Sequence, residues 1–189
     1  MPDSRPKYFA SLFPGAHYVG QQKSNHNSFE VEVEIKHVDL SDSFLCGYLR
    51  IEHLTEEFPV ITTFFEADII GEKYSFLTRK WDTNEEVDRK HWEKFEPFKQ
   101  YSQVFNNEDF HYDFYNSQYI FMRWKEQFLV PDHRIEDIAG ASFSGFYYIC
   151  FDRVSETFQG FYYHQKSQWF QSLKLKRILN RTFPVFEFR

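Results

Sequence analysis

The chain has 189 residues, a length that fits one domain with one continuous hydrophobic core. Its formal net charge is -6, and no run of Lys and Arg exceeds three residues, so a nucleic-acid partner is not expected. No apolar stretch approaches the roughly 18 residues of a membrane-spanning helix, and the N-terminal segment lacks the apolar core of a signal peptide. We therefore expect a soluble, unsecreted protein of the cytoplasm, also found in the nucleus, without membrane insertion.

Aromatic residues make up 21% of the chain, with 24 Phe, 12 Tyr and 4 Trp. Large flat side chains pack well on the pleated surface of a sheet, so this composition favours strands. Cys46 and Cys150 are far apart and lie in apolar runs. This pattern predicts buried free thiols rather than a disulfide framework or a zinc site.

The first part of the chain predicts an arm followed by strands. Residues 1–20 are rich in Pro, Ser and Gly without a stable period, which predicts a mobile arm before a single domain over residues 21–189. From Phe29 to Ile35, apolar residues alternate with Glu, the period of two that marks a half-buried strand. A returning strand follows at Phe44–Leu54, and a third begins at Val60.

A helix is predicted to interrupt the strands between Asp82 and Gln103, where apolar residues lie near helical spacing. Asp82, with Glu85 three residues later, resembles a capping box at the helix start. Pro97 predicts a break in this helix.

The chain then returns to strands, which we predict at Tyr119–Phe128, Ser142–Asp152, Phe158–His164 and Trp169–Leu175. About eight strands with only one helical insertion predict an all-β fold, a closed antiparallel β-barrel. A barrel of about eight strands is wide enough to be packed solid or to hold one small ligand in a pocket at its mouth. A β-sandwich is the alternative fold.

One polar residue stands in an apolar row. Burying an ionised carboxylate without a partner is costly. Glu126 therefore has two interpretations. In the first, its charge is accommodated by the fold, either through a pair with an internal Arg, Lys or His or at a rim position where the strand leaves the core. In the second, it faces a ligand that carries an ammonium group. Glu126 belongs to the predicted strand Tyr119–Phe128. Alternation along this strand places five residues on one face: Ile120, Met122, Trp124, Glu126 and Phe128.

Signatures of enzymes are weak. The segment from Gly140 to Gly145 only approaches the nucleophile-elbow pattern, because Ser144 stands where the second Gly belongs and no helix pattern follows. The histidines show no HExxH pair and no metal-ligand spacing to a cysteine, and a Gly-rich phosphate loop is absent. We expect a non-catalytic protein without cofactor or metal. Hydrolysis by Glu126 and a second carboxylate, and carriage of a small apolar molecule as in lipocalins, are the alternatives.

Several runs of the sequence carry a family resemblance. The most specific is Phe121–His133 (FMRWKEQFLVPDH). The others are Leu45–Leu49, Leu54–Glu57, Thr62–Glu66, Phe76–Asp82, Val87–Trp92, Gly140–Phe143 and Gly145–Phe151. Over about residues 18–189 the chain resembles the vacuolar import and degradation family, the substrate receptors of the GID/CTLH ubiquitin ligase.

This resemblance implies a β-barrel with helical insertions whose open end binds Pro/N-degrons, which are unacetylated N-termini that begin with proline. Proteins bound in this way are ubiquitinated and degraded by the proteasome. By position, Glu126 matches the carboxylate that pairs with the terminal ammonium, and Tyr147 matches a hydroxyl that also contacts it. Gln22 and Ser142 match side chains that bind the degron backbone. The apolar lining matches Val31, Ile51, Leu54, Ile61, Leu129, Phe143 and Tyr162, with Ile61 where close relatives are expected to have Leu.

The end of the chain resembles a docking segment. Glu187-Phe188-Arg189 is similar to the family's C-terminal tail. In the family this tail binds the armadillo-repeat scaffold subunit of the ligase. The resemblance thus implies that Phe188 and Arg189 belong to a scaffold-binding tail.

Overall fold

Eight antiparallel strands close into a barrel, each paired with its neighbour in the chain and β8 paired with β1. The computed structural model describes residues 11–130, 143–167 and 170–179. The predicted all-β barrel is confirmed, and the β-sandwich alternative is wrong. The strands are β1 His17–Lys23, β2 Ser28–Asp39, β3 Phe44–Glu52, β4 Val60–Ile69, β5 Tyr119–Val130, β6 Phe146–Asp152, β7 Thr157–Tyr163 and β8 Gln171–Ile178.

Alternation along the strands builds the barrel interior. On β2, Val31, Val33 and Ile35 are buried, while Glu32 and Glu34 between them point away from the core. Removing the apolar row from water stabilises the fold by roughly 1.5–3 kcal/mol per fully buried side chain.

The barrel is closed by the pairing of β1 with β8, and β1 begins within the segment predicted as an arm. Tyr18 is buried, and a Cβ on Gly20 would lie 1.8 Å from the backbone oxygen of Lys174 on β8, so only glycine permits this approach. The predicted boundary at residue 20 is wrong because β1 begins at His17. Its sequence, HYVGQQK, is too polar to show the period of two.

The connection between β4 and β5 carries the helical insertion: α1 at Glu85–Trp92 and a 3-10 helix at Glu96–Tyr101. Asn84 caps α1 by accepting a hydrogen bond from Val87 N at 2.9 Å, so the predicted cap at Asp82 is wrong. Pro97 lies in the first turn of the 3-10 helix, where its missing N–H costs nothing. Within the described ranges, no helix combines the length and apolarity needed to cross a membrane.

The insertion packs on the outer wall of the barrel and forms a second aromatic core. Phe76 is at its centre, with ring centroids 5.2 Å from Trp92, 5.0 Å from Phe98 and 5.2 Å from Phe121. Phe121 belongs to β5 and points outward, so this strand is buried on both faces. The insertion therefore holds β5 in place from outside, near the start of the strand.

A buried polar network ties α1 to β6. Asp88 accepts hydrogen bonds from the Thr78 hydroxyl at 2.5 Å and from the Tyr148 hydroxyl at 2.8 Å. Burial raises the pKa of the Asp88 carboxyl, and these donors partly offset that effect. Because Tyr148 is on β6, the network fixes this strand against the insertion.

His91 makes the attachment of α1 sensitive to acid. Its ring stacks on Tyr148 with centroids 4.7 Å apart, and Nδ1 lies 2.7 Å from the carbonyl oxygen of Val87. Burial lowers the pKa of His91 to about 4, whereas an unfolded histidine titrates near 6.5. The folded state therefore favours neutral His91, and this stabilisation is complete above pH ~6.5 and is lost as pH falls towards about 4.

We predict that His91→Asn reduces the loss of stability between pH ~7 and ~5 by up to about 2 kcal/mol, because the variant lacks the group that must be protonated. Urea unfolding at the two pH values measures this difference. His111→Gln changes an exposed histidine and is the matched control. An unchanged pH dependence in His91→Asn would show that His91 is not the acid-sensitive group.

Candidate functional site

The predicted site residues that the structure describes converge on one end of the barrel, which we call the mouth. At the mouth β1, β3, β5 and β7 end, and β2, β4, β6 and β8 begin. Leu54, in the β3–β4 loop, and Phe143, before β6, are half-buried there. The buried members are Gln22 on β1, Val31 on β2, Ile51 on β3, Ile61 on β4, Glu126 and Leu129 on β5, Tyr147 on β6 and Tyr162 on β7.

Three predicted residues lie outside the described residues. Ser142 belongs to 131–142, and Phe188 and Arg189 belong to 180–189. Their suggested roles stay predictions, as do the ligand contacts of the residues that the structure places at the mouth.

A β-bulge aims the end of β5 into the barrel. Phe65 on β4 pairs with Glu126, but the preceding Phe64 pairs with Phe128, so Gln127 is an extra residue on β5. Glu126 and Leu129 are consequently both buried, with two exposed residues between them. The predicted inward position of Phe128 is wrong. This side chain is 38% exposed and stacks on Phe64 with centroids 5.0 Å apart.

The Glu126 carboxylate is buried with one neutral hydrogen-bond donor. The residue is 8% exposed, and its Oε2 accepts a hydrogen bond from the Thr63 hydroxyl at 2.5 Å. Burial raises the pKa of Glu126, while the Thr63 hydroxyl and the charge of Lys125 oppose part of that increase. Thr63 is therefore part of the site, although no sequence pattern indicates it.

Lys125 is close to this carboxylate but is bound elsewhere. Its ammonium donates to the backbone carbonyl of Glu126 at 3.1 Å and to that of Phe143 at 2.9 Å. In the part of the chain that the structure describes, no Lys, Arg or His forms an ion pair with the carboxylate of Glu126. The interpretation of Glu126 as a member of an internal ion pair thus finds no support among these residues.

Tyr147 supplies a second polar atom with a defined polarity. Its hydroxyl donates to Gln22 Oε1 at 2.8 Å, and Gln22 Nε2 donates to Gln171 Oε1 at 2.6 Å. Burial, with the negative charge of Glu126, raises the pKa of Tyr147 well above 10, so the phenol keeps its proton at neutral pH. Because that proton points to Gln22, the lone pairs of the Tyr147 oxygen remain available to a donor.

Aromatic packing fills the barrel below this polar layer. Trp124 stacks on Phe65 with centroids 4.5 Å apart and meets Phe158 edge-on at 4.9 Å. At the mouth, the Tyr147 and Tyr162 rings meet edge-to-face at 5.1 Å. The Glu126 carboxylate and the Tyr147 hydroxyl thus lie in the last layer of the barrel, above packed aromatic rings.

Two hydrogen-bond acceptors in apolar surroundings suit a particular kind of ligand. The Glu126 carboxylate and the Tyr147 oxygen can both accept from a cation, and the buried aliphatic side chains nearby can contact an apolar group. Among the described residues, no group of three or more His, Cys, Asp or Glu is arranged to hold a metal ion. The two acceptors and the apolar side chains suit a small organic ammonium.

The fold and this site define a binding barrel with a carboxylate at its mouth. Residues 11–178 match the family model described as "Vacuolar import and degradation protein", and the chain belongs to that family. The family predicted from the sequence runs is confirmed.

Named relatives agree with this assignment. The mouse protein "Glucose-induced degradation protein 4 homolog" is 56% identical over 179 residues, which cover 94% of this chain and 82% of the relative. "GID complex substrate-recognition subunit 4" of Schizosaccharomyces pombe is 34% identical over 191 residues, covering 93% and 95%. The Saccharomyces cerevisiae protein of that name is 32% identical over 222 residues, covering 87% and 61%.

Within the described residues the Glu126 carboxylate has no cationic partner, so its charge should destabilise the fold. Because the pKa of Glu126 is raised in the fold, its charged form costs stability above that pKa, and the cost disappears below the ordinary value of about 4.3. We predict that Glu126→Gln raises the free energy of unfolding by about 1 kcal/mol at pH ~7.5 and has little effect at pH ~4.

Urea unfolding at both pH values measures the effect of Glu126→Gln. Glu66→Gln, an exposed position on β4, is the control for losing one negative charge. If Glu126→Gln is less stable than the wild type at pH ~7.5, the carboxylate is a stabilising group rather than an unsatisfied one.

Proposed function

We propose that this chain is a non-catalytic substrate receptor of the GID ubiquitin ligase and that its mouth binds free N-termini that begin with proline. Proteins bound in this way would be directed to ubiquitination and proteasomal degradation. The observation that carries the proposal is Glu126, a buried carboxylate without a cationic partner among the described residues. The names of the yeast relatives, which describe substrate-recognition subunits of the GID complex, support the receptor role.

An N-terminal proline has the chemistry that this site lacks. Its nitrogen is a cation with two N–H donors, and it is part of an apolar ring. Glu126 can accept one N–H and pair with the charge, while the oxygen of Tyr147 can accept the other. The ring can then contact the apolar side chains of Ile61 and Leu129 at the mouth. Binding would thereby offset the desolvation of the carboxylate.

Selectivity for a free terminus follows from the same charge. An acetylated terminus has no positive charge, so it would cover Glu126 without pairing with it. The cost of the uncompensated carboxylate would disfavour this complex even if the peptide fits sterically. A free amine is therefore required for electrostatic reasons.

Two alternative functions have less support in the geometry. Hydrolysis requires a second carboxylate that acts with Glu126, but within the described residues its interactions are with Thr63 and Lys125. Carriage of an apolar molecule requires an open interior, whereas Trp124, Phe65 and Phe158 pack against one another there. The mouth, by contrast, holds a carboxylate oxygen without a hydrogen-bond donor among the described residues.

Calorimetry with one proline-initiated peptide, free and acetylated, tests the proposed recognition. We predict that the free peptide binds and the acetylated peptide does not, and that Glu126→Ala loses roughly 2–5 kcal/mol of binding, the range for truncating a buried charge pair. Glu66→Ala is the matched control. Less than twofold weakening in Glu126→Ala would refute the role, equal binding of the two peptides would favour a carrier, and peptide turnover would indicate a hydrolase.

The tail is the proposed contact with the ligase. The support is the similarity of Glu187-Phe188-Arg189 to the segment that binds the armadillo-repeat scaffold subunit in the family. Deleting these residues should abolish capture of the scaffold in a pull-down and leave peptide affinity unchanged, because the tail and the mouth act separately. Recovery of the scaffold with the truncated chain would show that the anchor lies elsewhere.

A further inference from the structure

Thr63 stands out at the mouth because it is a polar residue in an inward apolar row. On β4 it lies between Ile61 and Phe65, and all three side chains are buried. Thr63 is only 1% exposed, and its hydroxyl bonds to the carboxylate of Glu126. A valine would fill the same volume, so packing alone does not account for the hydroxyl.

We propose that Thr63 is a positioning residue for terminus recognition: its hydroxyl keeps the Glu126 carboxylate ionised and holds it as an acceptor for the incoming ammonium. The inference rests on the proposed function and adds to it a second residue on which selectivity for a charged chain end depends.

The polarity of the hydrogen bond supports this role. An ionised carboxylate can only accept, so the proton of Thr63 must point to Glu126 Oε2. Hydrogen bonds from a hydroxyl to an ionised carboxylate are charge-assisted and stronger than those between neutral groups. A donor of this kind favours the ionised form, and Oε1 has no hydrogen-bond donor among the described residues. One oxygen is thus held by the fold, and the other can receive the ligand.

The other charged and titratable groups near Glu126 do not replace this donor. Lys125, on the same strand, directs its ammonium to two backbone carbonyls. Tyr147 on β6 donates its proton to Gln22, and Tyr162 on β7 packs against Tyr147. Thr63 is therefore the only direct donor to the Glu126 carboxylate in the described part of the chain.

Removing the hydroxyl should change the pH dependence of binding. Without Thr63 as a donor, burial raises the pKa of Glu126 further, so the carboxyl is protonated at a higher pH. A protonated carboxyl cannot pair with the ammonium. Affinity is then lost at a higher pH on the acid side, while the alkaline side, which reports deprotonation of the peptide amine, stays in place.

The experiment compares Thr63→Val, which keeps the shape and removes the hydroxyl, with Thr63→Ser, which keeps the hydroxyl. The probes are a proline-initiated peptide and the same peptide with a cyclopentanecarbonyl group in place of proline, which retains the ring without the amine. Affinities are measured by calorimetry from pH ~5 to ~9. Thr62→Val removes a hydroxyl from the neighbouring, half-buried position and is the matched control.

We expect Thr63→Val to bind the proline peptide on the order of tenfold more weakly at neutral pH, because a protonated Glu126 must first lose its proton, and each unit by which its pKa exceeds the pH is a factor of about ten in affinity. Its acid limb should move to higher pH, Thr63→Ser should restore both properties, and binding of the amine-free probe should not weaken. Thr63→Ala serves the same comparison if Thr63→Val does not fold.

Two results separate this inference from the proposed function. If the wild type binds the amine-free probe as well as the proline peptide, the proposed function fails. If the wild type prefers the proline peptide but Thr63→Val keeps the affinity and pH profile of Thr62→Val, or if Thr63→Ser loses as much as Thr63→Val, the function stands and the role of Thr63 is overturned.

Discussion

The site depends on one electrostatic constraint, a carboxylate that the fold buries without a cationic partner among the residues that the structure describes. Glu126 receives a hydrogen bond from Thr63, a neutral donor, while the adjacent Lys125 is bound to backbone carbonyls. A buried charge with this environment is costly unless a ligand supplies the opposite charge. The buried charge would thus lower the stability of the ligand-free barrel. Because a cationic chain end compensates this charge and a neutral one does not, the barrel would bind the cationic end in preference.

The rest of the fold holds this carboxylate in position. Strand β5, which carries Glu126, is packed on its outer face by the insertion through Phe121 and on its inner face by Trp124 against Phe65. Strand β6, which carries Tyr147, is tied to α1 by the bond between Tyr148 and Asp88. Adjacent residues on β6 therefore serve opposite sides of the barrel wall. The acceptors at the mouth are set on rigid strands, which is what precise recognition of a small ammonium requires.

Local pattern predicted much of this fold, because the features concerned lie within single strands. The alternation that defines β2 and the lone charge at Glu126 are visible in the sequence alone. The failures involve pairing between strands. The bulge at Gln127 turns Phe128 outward, and it depends on the register with β4. Thr63 joins the site through a hydrogen bond to Glu126, and Gln171 joins it through one to Gln22. These partners are 63 and 149 positions apart in the sequence, so periodicity does not reveal them. Strand β1 was missed because its stability comes from closing the barrel at Gly20.

The most direct test of this account is a crystal structure of the barrel with a proline-initiated peptide. We expect the peptide nitrogen to lie within hydrogen-bond distance of a Glu126 carboxylate oxygen and of the Tyr147 oxygen, with the proline ring against the apolar side chains of the mouth. A complex in which Glu126 pairs with a lysine or arginine of its own chain, or in which the peptide terminus is bound away from the mouth, would contradict it.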